Sequence, residues 1–176
     1  PREWTFMLPI LVAAAFFGWI PHNDVAYDSS ALWTHAVSGM SPVADRLGRL
    51  VPTTLVAIPT LAVGTPIACA LAGRPDMLPA LSGAAIALLY AGFGMSSIFS
   101  ALTAYPVPKP GSSPFQQPQR TSMRGPAGQT LVLLLTVLIA LPLIWLGVDA
   151  VEGRFGMWNV LWIGIAVGVA VLALGV

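Results

Sequence analysis

His22, Asp24, Asp28 and His35 bring imidazole and carboxylate groups into one short stretch of chain, a donor set that suits zinc or a similar ion. They share no tight ligand spacing, and metal sites are built on short fixed offsets, so the sequence favours no metal here. Asp28 also has a competing use, because it or Ser29 can cap a helix that begins at Ser29, a short side-chain oxygen accepting from the first free amides. A second charged group follows in Asp45, Arg46 and Arg49. No glycine-rich phosphate loop ends in a lysine, and the single lysine, Lys109, lies between prolines; nucleotide hydrolysis by that route is excluded. No acid or histidine lies deep in an apolar run, which leaves no proton relay, ion-coupling residue or intramembrane catalytic group. The chain is not read as an enzyme.

The element that must position these groups is the stretch 21–49. From Ser29 to Met40, the residues Leu32, Trp33, Ala36, Val37 and Met40 fall on one helical face, with Ser30, Thr34, His35 and Ser38 on the other. Gly39 ends that helix, and Ser41-Pro42 starts another with a cap and a first-turn proline. The pattern predicts an amphipathic helix at the membrane surface followed by a charged elbow that runs into an apolar span.

Of the 176 residues, 56% are hydrophobic and only 9% charged, with mean hydropathy +0.80. A chain this poor in charge is an integral membrane protein, and in lipid its backbone groups must be satisfied by helices. The expectation is an all-α polytopic helical bundle, a single transmembrane permease-like domain over residues 1–176. Nothing points to nucleic acid. The lone cysteine, Cys69, lies in an apolar run and serves as a small apolar residue. The start at Pro1 and the stop at Val176 within an apolar run lead us to expect a piece of a longer polypeptide with at least one further span.

Five spans are predicted, at about 4–20, 50–72, 77–102, 130–148 and 160–176. The second carries Pro52, Pro59 and Pro66, whose spacing puts them near one face, where neighbouring helices would absorb the kinks. The third is rich in small residues (Ser82, Gly83, Gly92, Gly94, Ser96, Ser97, Ser100) that serve dense packing before they serve a substrate path. Gly164 and Gly168 form a small-x-x-x-small pair suited to close helix approach. Loops 21–49 and 104–129 hold five of the eight basic residues, with Arg2, Arg74 and Arg154 on the opposite side. This bias places both loops in the cytoplasm. The second of them, with Pro106, Pro108 and Pro110, is expected to be extended or disordered, a flexible linker or else a docking strap for a cytoplasmic partner. A short outer loop, 149–159, joins the last two spans.

Two stretches together resemble the permease subunits of type-2 ABC exporters of the actinobacterial form. One comprises Asn23, Tyr27-Asp28, Ala31-Leu32-Trp33, His35, Gly39 and Asp45-Arg46-Leu47-Gly48-Arg49. The other runs from Ser96-Ser97 through Ser100-Ala101-Leu102 to Tyr105-Pro106-Val107-Pro108-Lys109-Pro110-Gly111, with Ser113-Pro114-Phe115 and Pro118. Order and spacing are similar from about Asn23 to Pro118; the last two spans match only in being apolar. The chain departs from the pattern at Val25, Ala26 and Ser29, where the family has phenylalanine and glycines, and it shows five spans where the family's permease domain has six. If the first of the six precedes Pro1, the amphipathic stretch falls in the cytoplasmic loop that holds the family's coupling helix.

The resemblance implies a multi-pass protein of the cytoplasmic membrane that moves a hydrophobic substrate (drug, lipid or antibiotic) by alternating access. The implied partners are an ABC ATPase subunit, which carries the ATP and Mg²⁺, and a second permease half or copy; this chain itself holds no cofactor. The implied coupling residues are Asp28, Leu32, Trp33, His35, Val37, Met40, Asp45, Arg46 and Arg49. The apolar members would pack on apolar surface, while His35, Asp45, Arg46 and Arg49 would face the partner or lipid headgroups. The alternative is a membrane scaffold or assembly subunit with no transport activity, its basic residues acting as a snorkelling anchor.

Overall fold

The computed structural model describes residues 2–28, 32–108, 111, 113 and 124–176. Among these the chain is all helical: α1 (Arg2–Trp19), α2 (Val25–Asp28), α3 (Leu32–Val37), α4 (Pro42–Leu71), α5 (Leu78–Leu102), α6 (Arg124–Val151) and α7 (Met157–Gly175), with 3-10 turns at Ile20–Asn23 and Pro75–Met77. Five of the helical segments are long and apolar enough to cross a membrane. The protein is therefore a multi-pass helical bundle.

The spans follow the hydropathy, but two begin earlier than expected. The elbow helix and the second span are one helix, α4, continuous over 30 residues. At 1.5 Å per residue that is about 45 Å, more than a hydrocarbon core of about 30 Å needs. Its head, with Asp45, Arg46 and Arg49, accordingly extends past the apolar layer. Ser41 caps this head, its Oγ accepting from the Ala44 amide at 3.2 Å. Helix α6 starts at Arg124, so residues 124–129, expected to be extended or disordered, are helical. Of the remaining loop, Ala104–Pro108 has no regular structure, and Lys109 and Arg120 lie outside the described residues.

Helix α5 is the axis of the bundle. In lipid there is no hydrophobic drive between helices, so close packing decides which helix sits inside, and small residues allow the closest approach. Ala80, Gly83, Ala84, Ala87, Ala91, Gly92, Gly94 and Ser96 are all buried along it. A Cβ on Gly83 would stand 2.5 Å from the Val160 carbonyl oxygen, and one on Gly164 would run into the Gly83 backbone. A Cβ on Gly168 would lie 3.1 Å from Ile86 O and Tyr90 Cβ, and one on Gly92 only 2.6 Å from Gly18 Cα. Backbone contact at these glycines thus joins α7 and α1 to α5. Ala14, Ala57, Leu61, Leu88, Phe93 and Ala140 close a core shared by α1, α4, α5 and α6.

The three prolines of α4 are placed differently from expectation. Pro52, Pro59 and Pro66 are exposed, while Ala57, Leu61, Thr65, Ala68 and Cys69 face the bundle. No neighbouring helix of this chain covers them. The face of α4 turned to the bundle carries Leu50, Ala57, Leu61, Thr65, Ala68 and Cys69, and the prolines fall outside it. Hydroxyls of Thr54, Thr60 and Thr65 donate to the carbonyls four residues back at 2.7–2.8 Å, supplementing the interrupted ladder. At the opposite end of the bundle, the loop after α6 is held by Arg154, paired with Asp149 and Glu152. The bond to Asp149 raises its guanidinium pKa above the ordinary arginine value.

Candidate functional site

The polar groups gather at the bundle end where α1 and α5 finish and α4 and α6 begin. Of the expected helix over 29–40, the described part is α3, Leu32–Val37, with α2 preceding it at Val25–Asp28; Ser29, Ser30 and Ala31 lie outside the described residues, as do the side chains of Leu32 and Ala36. Helix α3 stops as expected. The Ser38 amide bonds Thr34 O at 3.0 Å, Ser38 Oγ donates to His35 O at 2.9 Å, and Gly39 takes φ 71°, a left-handed turn that only glycine adopts without strain.

The first amides that Asp28 or Ser29 was expected to cap lie outside the described residues. Asp28 is the last residue of α2, and its carboxylate accepts from Arg49 Nη2. Arg49 also forks onto Asp45, Nε to Oδ2 and Nη2 to Oδ1, both at 3.0 Å. His35 Nδ1 donates to Asp45 Oδ1 at 3.0 Å. An arginine fork holding two carboxylates is charge-assisted and geometrically strict, and the Arg49 side chain is only 10% exposed. His35, Asp45 and Arg49 thus bond one another and brace α2 and α3 against the head of α4, while the His35 side chain stays 39% exposed. Arg46 takes no part in these bonds, and its enclosed Nη1 has no hydrogen-bond partner among the described residues.

The apolar members look the other way. Trp33 is 64% exposed, Val37 69%, Met40 41%, and Tyr27 of α2 69%. Nothing among the described residues covers them. The site is thus a pair of short helices with a bare apolar surface, pinned from behind by an ion cluster of two carboxylates, one guanidinium and His35.

A second network, not anticipated, ties the same end together. Trp19 Nε1 donates to Gln129 O at 3.1 Å, the Gln129 side chain donates to the Tyr105 hydroxyl, that hydroxyl meets His22 Nε2 at 2.8 Å, and His22 Nδ1 returns to Trp19 O at 2.8 Å. The circuit is consistent with the Nδ1–H tautomer of His22. Asn23 adds a two-point link to the Tyr105 backbone, at 3.2 and 3.0 Å, and Ser100 bonds both Asp24 and the Val25 amide. His22 and Asp24 therefore serve this network, while Asp28 and His35 serve the Arg49 cluster; the four do not converge. The only sequence signal for the network was the polarity of Asn23, Ser100 and Tyr105 beside apolar runs.

No protein-family model matches this chain, and neither the curated proteins nor the solved structures show a significant match.

Proposed function

We propose that this chain is the transmembrane subunit of an ATP-driven ABC exporter of the cytoplasmic membrane, and that residues 27–40 take the push of a separate ATPase. The observation that carries the reading is the bare apolar surface of Tyr27, Trp33 and Val37 on helices fastened to a membrane-crossing helix. A loose amphipathic anchor needs no such bracing. A coupling element does, because displacement has to reach the spans rather than dissipate in a loop. Two routes lead inward: Arg49 to the head of α4, and the His22–Tyr105–Gln129 circuit to α5 and α6. ATP and Mg²⁺ belong to the ATPase, a second permease copy completes the transporter, and the apolar interior favours hydrophobic cargo.

Co-purification tests this. The tagged full-length protein, gently extracted, is expected to bring down a phosphate-loop ATPase in stoichiometric amount, with Trp33→Ala or Arg46→Glu weakening the association. If no ATPase accompanies it in several mild detergents, the exporter reading fails and the scaffold reading takes its place, with this stretch as a membrane anchor.

A further inference from the structure

We propose that the seam between α4 and α5 is a binding track for an uncharged amphiphile, one with an extended apolar body and an oxygen that hydrogen-bonds Tyr90. Helix α4 leans on α1, through Ala57 and Leu61 against Ala14 and Ala15, and meets α5 only lightly. Two cavities occupy the gap that this leaves, and a third adjoins α5 on its α7 side. One of about 440 Å³ lies among Leu50, Leu55, Phe93 and Leu172, and one of about 230 Å³ among Ile58, Thr65, Ser82 and Leu89. A third, of about 440 Å³, lies among Asp76, Ser82, Trp158 and Leu161 at the opposite end. Tyr90 lines the first two and Ser82 the last two. The first two thus run along the seam between α4 and α5, and the third lies beyond it, between α5 and α7.

Chemistry restricts what can lie there. No charged side chain lines the first two cavities, and the Asp76 carboxylate in the third is already held by Arg74. Tyr90 and Ser82 make no hydrogen bond among the described residues, although each is only partly exposed and sits at membrane depth. A hydroxyl without a partner in an apolar medium is costly, so the occupant brings an oxygen to meet Tyr90. A helix, about 10 Å across, has no room in the narrow middle cavity, whereas an acyl-like chain does. Neutral lipid chemistry fits: apolar chains with ester or hydroxyl oxygens. The site needs no ATPase, so it stands or falls separately from the exporter reading.

The test uses the full-length protein in phosphatidylcholine nanodiscs with a diacylglycerol that carries a diazirine in its acyl chain. Photo-adducts are expected to concentrate on residues 51–62 and 82–93 and to be displaced by unlabelled diacylglycerol. Tyr90→Phe removes one oxygen and is expected to weaken occupancy about three- to tenfold, the scale of one neutral hydrogen bond. Ile58→Trp, at the half-open lip, is expected to abolish these adducts; if that variant fails to fold, Tyr90→Phe alone decides. Adducts spread evenly over the outward faces of α6 and α7, for instance at Leu134 and Val169, would overturn the proposal. So would wild-type occupancy in Tyr90→Phe.

Discussion

Replacing Arg49 by alanine probes whether the ion cluster is what fastens α2 and α3 to α4. Arg49 donates to both Asp28 and Asp45. Its removal leaves two carboxylates, 22% and 19% exposed, facing each other with only His35 beside them. Breaking a fully buried pair costs about 3–5 kcal/mol; these carboxylates keep some contact with water, which lowers the figure to about 2–3 kcal/mol. At about 1.4 kcal/mol per factor of ten, local opening becomes roughly 30- to 150-fold more frequent. Amide hydrogen exchange, resolved by peptide in detergent, reads this directly. Residues 32–48 are expected to lose protection by that factor while α7 is unchanged. Adding Asp28→Asn and Asp45→Asn to Arg49→Ala removes the uncompensated charge and is expected to restore more than half of the lost protection. Unchanged exchange in Arg49→Ala, or a neutral triple variant as loose as the single one, would refute the account.

Gly83→Ala places a methyl against the Val160 and Leu161 backbone and is expected to lower stability by about 1–3 kcal/mol in detergent unfolding. Gly147→Ala, with open space around its Cβ, is expected to be neutral or slightly stabilising, gaining up to about 1 kcal/mol of helix propensity. Tyr105→Phe removes the hydroxyl that links His22 and Gln129. The expected cost is about 1–3 kcal/mol for the groups left unpaired, seen as faster exchange at residues 20–25 with α7 unaffected. Ser41→Ala loses the cap on Ala44 and is expected to cost about 1 kcal/mol, confined to the first turn of α4.

What the sequence determined alone was the class of structure and the position of its spans. Long apolar runs in a chain with few charges leave the backbone no partner but itself, and a helix is the local solution. Local signals also placed Ser41 as a cap and Gly39 as a stop, and the four-residue spacing of Asp45 and Arg49 put their contact within reach. Even so, the sequence read locally offered Asp28 or Ser29 as a cap and gave no sign that the Asp28 carboxylate is held by an arginine 21 residues further on. The proline spacing on α4 was legible, but which way that face turns was not, because it depends on how α4 as a whole docks against α1 and α5. Which helix is central depended likewise on glycines at 83 and 164, or 18 and 92, meeting across the bundle. Tyr105 and His22 are separated by 83 positions; nothing in the pattern of either neighbourhood specifies the other. Pairings of this kind follow from how helices dock. Docking in lipid is governed by backbone approach and shape, which no single segment encodes.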